Sequence, residues 1–207
     1  MSVFMVAKDT DFRRDVGVAC APMTLPEAAL PLAEWESFYV IIGTSAAALT
    51  GLTFVVIAVV ADAGPRAATT LGIATFITPT IVHFCGALLI SAIISAPWHE
   101  HIGVQIALGA CGIFGFVWSL LVWRGTLSVD TYSMVFEDWA WHVVLPLVAY
   151  GATLATAIIF ARATELGLFM IGGAATLLVF IGIHNAWDTI THLTLQRFKR
   201  EHEKPDG

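Results

Sequence analysis

Five long runs of apolar residues, at about 37–60, 67–96, 102–123, 139–161 and 166–187, are separated by short polar stretches. A helix rises 1.5 Å per residue, so about 20 residues cross the hydrocarbon of a bilayer, and each run is long enough for one crossing. Buried strands are much shorter than any of these runs. The pattern predicts an all-α fold, a polytopic integral membrane bundle of five transmembrane helices. Residues 1–33 then form an extramembrane N-terminal tail, 34–192 the transmembrane domain and 193–207 a C-terminal tail. The second run, 30 residues long with Pro79 near its middle, is too short for two crossings. As one helix of about 45 Å it must tilt, protrude or kink, because proline removes a backbone hydrogen bond and crowds the preceding turn.

Composition agrees with lipid as the solvent. The chain of 207 residues is 57% hydrophobic and 13% charged, with a mean hydropathy of +0.80, where a soluble domain carries about 25% charged residues. The net charge of −6 and the scattered Lys and Arg argue against nucleic-acid binding. At the amino end, "MSVFMVAKDTDFRRD" places its apolar residues before its positive charge, the reverse of a secretory signal. Pro22, Pro26 and Pro31 break any single long helix there. Three cysteines, Cys20, Cys85 and Cys111, are no disulfide framework. The last two, set in apolar surroundings, read as small packing residues.

Charge near the span ends gives a direction. Arg66, Arg124, Arg197, Lys199, Arg200 and Lys204 share one side, whereas only Arg162 lies close to the other. By the positive-inside rule the amino end is outside and the carboxyl end cytoplasmic, as in a bacterial-type plasma membrane. Small residues at four-residue spacing, including Gly43 and Gly51 in the first span and Gly115 in the third, mark faces where helices approach closely. Such faces serve contacts within the chain or a homo-oligomer, and lipids are the other expected partner. Trp98, Trp123, Trp139, Trp141 and Trp187 fall near span ends, where they read as interfacial anchors.

Against this background the polar residues inside the spans are few. The second span aligns Gly72, Thr75, Pro79, His83 and Gly86 by steps of three and four, and the fourth aligns His142, Pro146, Tyr150 and Thr153. Measured from the nearer end of its apolar run, His83 is the deepest titratable side chain. The middle third of every span lacks Lys, Arg, Asp and Glu, so His83 is the best single candidate for a polar function inside the membrane. In the fifth span His184 and Asp188 share a face, as does His192 if the helix continues, while Asn185 points about 100° away. The fourth span enters from the side to which the fifth returns, so Glu137, Asp138 and His142 are expected at the depth of His184, Asp188 and His192.

Three kinds of chemistry use these residues. In a small transporter or permeation protein, His83, His142, His184, Asp188 and Asn185 line a polar path or binding site. Histidine exchanges protons near neutral pH, which makes such a path proton-linked, and this leading reading requires no cofactor. In a metal-dependent intramembrane hydrolase acting on a lipid, His142, His184 and Asp188 hold Zn and Glu137 acts as base. That arrangement has no HExxH or GxSxG motif behind it. Haem between His142 and His184 is a variant without a CxxCH attachment sequence. In a structural, sensing or assembly protein the same polar groups only satisfy one another between helices. A second polar group, His99, Glu100 and His101, reads as a solvated turn.

Overall fold

The computed structural model describes residues 32–62, 73–127 and 139–202. Of residues 59–62, 73–77, 125–127, 192–193 and 195–202 it describes the backbone alone. Every regular element among them is helical: α1 Glu36–Asp62, entered through a 3-10 turn at Ala33–Trp35, α2 Ile73–Ser95, α3 His101–Leu127, α4 Leu145–Ile159 and α5 Thr164–His202. A π-helical turn, Ala140–Val144, runs directly into α4. Among the described residues, five helices are long and apolar enough to cross a membrane, one for each apolar run of the sequence. It is a multi-spanning α-helical membrane protein.

Neighbours pack in the order α1, α2, α5, α4, α3, with lighter contact between α2 and α3 and between α1 and α5. Glycines set the register of these pairs. Gly43 of α1 faces Ser91 of α2, Gly86 of α2 faces Leu178 of α5, and Gly182 of α5 faces Phe84 of α2. Across α3 and α4, Gly109, Gly112 and Gly115 meet Ala157, Leu154 and Tyr150 in turn. One number rises as the other falls for α2 with α5 and for α3 with α4, so each of these two pairs is antiparallel. Backbones can close up at such positions because no Cβ intervenes, and in lipid that van der Waals fit, more than apolarity, drives helix association.

The helices are apolar all round, as lipid allows. Their inward faces form a core that includes Ile90, Ile94, Leu108, Phe160, Leu168 and Ile171, while Ile41, Phe114, Ile158, Phe169 and Phe180 stay exposed on the outside of the bundle. The centre belongs to α5, whose span is 56% buried residues, against 6% for α1 at the periphery. Tyr39 ties the start of α1 to α5 by donating to the Leu168 carbonyl at 3.0 Å.

Two prolines shape the helices differently. α2 runs unbroken through Pro79, although the proline withdraws the donor that the Thr75 carbonyl would otherwise receive. Pro146 sits in the first turn of α4, where its ring crowds the His142 carbonyl and it has no N–H to donate there. The turn before it widens in response: the Leu145 N–H reaches back five residues to the Ala140 carbonyl. Single π turns of this kind recur at functional sites. The fifth helix differs from its apolar run, since it continues to His202. At 39 residues, about 58 Å, it outruns a hydrocarbon layer of about 30 Å.

Candidate functional site

Most hydroxyls in the spans are already satisfied within their own helix. Thr50, Thr53, Ser91, Ser119, Thr153, Thr176 and Thr189 each donate to the carbonyl four residues back, at 2.8–2.9 Å. Fewer side chains reach between helices: Tyr39 to the Leu168 carbonyl, Gln105 to the Ala157 carbonyl, and Tyr150 to His83 and the Val82 carbonyl.

The Tyr150 ring leaves α4 and crosses the bundle. It lies against Gly115 of α3, where a methyl group would overlap the ring, and its hydroxyl lies over Gly86 of α2, 2.7 Å from where a Cβ would stand. Two glycines on two helices therefore make the slot for one side chain, which is 1% exposed. At the end of the slot the hydroxyl is 3.4 Å from Nδ1 of His83 and 3.4 Å from the Val82 carbonyl. The His83 and Tyr150 rings are tilted at 35° with centroids 6.0 Å apart, and His83 itself is 3% exposed. This buried His–Tyr contact joins α2 to α4. His142, on the π turn, lies within electrostatic range of His83, and Cys85 and Cys111 within that of Tyr150.

A second group forms between the π turn and α5. The Trp141 ring stacks on His184 with centroids 4.0 Å apart at 17°. Nε2 of His184 donates to Oδ2 of Asp188 at 3.0 Å, one turn further along α5. Both side chains are partly exposed. An open apolar groove of about 780 Å³ runs beside them from Trp35 to Trp141 and Phe180. Its lining has no His, Asp or Asn, so it belongs to the apolar exterior and not to the polar groups.

The sequence separates His83 from His142 and His184 by depth; the packing brings them level. Phe84 faces Gly182 and Trp141 faces His184, so His83, His142 and His184 occupy neighbouring turns of one layer. Counting from the first apolar residue measures where a helix enters lipid, whereas glycine contacts decide how far it slides along its neighbour. Asn185 lies next to this layer on the α5 face turned to α2. It is 2% exposed, and neither its side-chain oxygen nor its nitrogen has a hydrogen-bond partner among the described residues.

Glu137 and Asp138 lie outside the described residues, as does the His192 side chain, although His192 falls within helical α5. Among the described residues no group of three or more His, Cys, Asp and Glu side chains is placed to hold a metal ion. That covers His142, His184 and Asp188, as well as His99, Glu100 and His101. Pro79 is accommodated within α2, Gly43 and Gly115 are close-approach positions, and no described atom comes within 4 Å of a Cβ built on Gly51.

The sequence places Tyr150 and Trp141 near these groups without marking either as a partner in the contacts. Tyr150 lies on the His142 arc but, as a single hydroxyl in an apolar helix, it does not stand out. The matching signal was Gly86 and Gly115, a glycine on each helix that the ring crosses. Trp141 reads as an interfacial anchor, and only the tertiary contact shows that it covers His184.

Comparison with known protein families, curated proteins and solved structures returns no match.

Proposed function

We propose that this protein is a small membrane transporter or permeation protein whose cargo movement is linked to protons. In this reading His83 is the buried proton-binding group. His142, His184 and Asp188 form the cytoplasmic mouth of the polar path, and the amino end lies outside, in a bacterial-type plasma membrane. The observation that carries the reading is the His83–Tyr150 contact: an ionisable side chain, 3% exposed, held between two spanning helices by one hydroxyl.

Ionisable groups inside membranes are costly and concentrate where ions or protons pass, while a neutral imidazole avoids most of that cost. The Tyr150 hydroxyl has two neighbours at equal distance, Nδ1 of His83 and the Val82 carbonyl. With His83 unprotonated at Nδ1, the hydroxyl donates to that nitrogen. When Nδ1 carries a hydrogen, as in the other neutral tautomer and in the imidazolium, the hydroxyl turns to the Val82 carbonyl and its oxygen accepts from the ring. One hydrogen rotates and no heavy atom moves, so His83 can gain and lose a proton without repacking the core.

The test is proton flux in liposomes holding the purified protein. His83→Gln keeps a neutral polar side chain and is expected to lower proton-linked flux at least tenfold while the protein still melts as one folded species. Wild-type flux in folded H83Q protein would overturn the reading.

A further inference from the structure

We infer that Asn185 holds a buried water molecule between α2 and α5, one turn from His83, and that this water is the link between the mouth of the polar path and the His83–Tyr150 pair.

The argument starts from the amide itself. Asn185 is 2% exposed, yet both Oδ1 and Nδ2 lack a partner among the described protein groups. An amide offers two donors and two acceptor lone pairs, and burying all of them unpaired is among the costlier arrangements in a protein. Native structures resolve such cases with an ordered water, which makes two to four hydrogen bonds to buried polar groups. A cation would satisfy only the oxygen, and an anion only the nitrogen. Water both donates and accepts, so it satisfies both ends of the amide at once.

The packing says where that water sits. Asn185 follows Leu178 and Gly182 on the α5 face that meets Gly86 and Phe84 of α2. The same antiparallel register brings Thr80 level with Asn185, and Thr80 is buried as well. Thr80 and His83 are three residues apart on one helix and so share a face. A water on the Asn185 amide therefore lies between α5 and the α2 face that carries His83. Nδ1 of His83 is turned to Tyr150, which leaves Nε2 for the other side of the ring. When Nδ1 carries the ring hydrogen and donates to the Tyr150 oxygen, Nε2 is the acceptor: a water there gives Nε2 a proton and takes another from the mouth, ending unchanged.

The site stands on packing and hydrogen-bond chemistry alone; its use as a proton link rests on the function proposed above. Two measurements on the full chain in lipid separate these. The first is nuclear magnetic cross-relaxation between the Asn185 side-chain amide protons and water in nanodiscs. The expected result is a cross-peak of a long-lived bound water in the wild type. Amide protons that are observed without any water contact would overturn the site. The second is proton flux for Asn185→Leu, which fills the space with an apolar group, and for Asn185→Ser, which keeps a hydroxyl and leaves room for water. N185L is expected to lose flux at least tenfold, and N185S to stay within about threefold of wild type. Wild-type flux in N185L would overturn the link. A bound water in a wild type that conducts no protons would support the site and sink the proton-linked function instead. The spectrum of the wild type decides the site even if N185L fails to fold.

Discussion

Tyr150 shows how a single side chain depends on atoms that its neighbours lack. Gly115 and Gly86 give the ring its slot, so Gly115→Ala must push the ring or α3 aside. Overpacking of this kind costs about 1–3 kcal/mol, and G115A is expected to melt at a lower temperature in detergent or nanodiscs. Gly51→Ala makes a clean control: its Cβ meets open space, and substitutions away from packed features stay within about 0.5 kcal/mol. An equal loss in both variants would contradict the slot. Tyr150→Phe preserves the ring and removes only the hydroxyl, and with it about 1 kcal/mol of hydrogen bonding. Its melting should fall by only about 2–4 °C while proton flux falls markedly; unchanged flux would mean that the His83–Tyr150 contact is only structural. At this scale His83 was legible, because an ionisable side chain deep in an apolar run is conspicuous. Tyr150 was not, because its hydroxyl acquires meaning from what lies across the bundle.

Helices four and five show the same division. Both runs of apolar residues announce a helix, but the π turn at Ala140–Val144 does not follow from apolarity. Pro146 was its signal, and an ambiguous one, since proline is also common in the first turn of an ordinary helix. Pro146→Ala removes the cause of the widened turn. If Ala140–Val144 then tightens to α geometry, everything before it rotates by about 100°, and Trp141 leaves His184 while His142 leaves the His83 side. The expected outcome is a melting temperature equal to or above wild type, from better helix propensity, combined with a loss of flux. A P146A variant that conducts normally would show that the π turn has no part in the path. The length of α5 was underestimated for a related reason: helical backbone continues where polar residues begin, because hydrogen bonding within the helix does not need lipid.

For the whole molecule, five spans leave α1 and α5 starting on the same side and the carboxyl extension of α5 on the other. The asymmetry of Lys and Arg predicts that the latter side is cytoplasmic. A cysteine placed near Lys204, in a chain freed of its native cysteines, should resist an impermeant thiol reagent in intact cells, whereas one placed near Glu34 should react. The opposite pattern would invert the path and move its mouth to the outside. The small share of α1 that is buried leaves most of its surface to lipid or to another membrane partner, and the bundle around α5 does not depend on covering it.

The solvent, the number of spans and the rarity of polar groups inside them could be read from the order of residues, because crossing hydrocarbon needs long stretches that are apolar on every side. That same uniformity hides the phase and the slide of each helix, since lipid meets any apolar face equally well. Only the tertiary structure decided them, through glycines whose missing Cβ atoms admit Ser91, Phe84, Leu154 and Tyr150. His83, Tyr150 and Asn185 came into one neighbourhood as a consequence of that fit, which no periodicity along the chain contains.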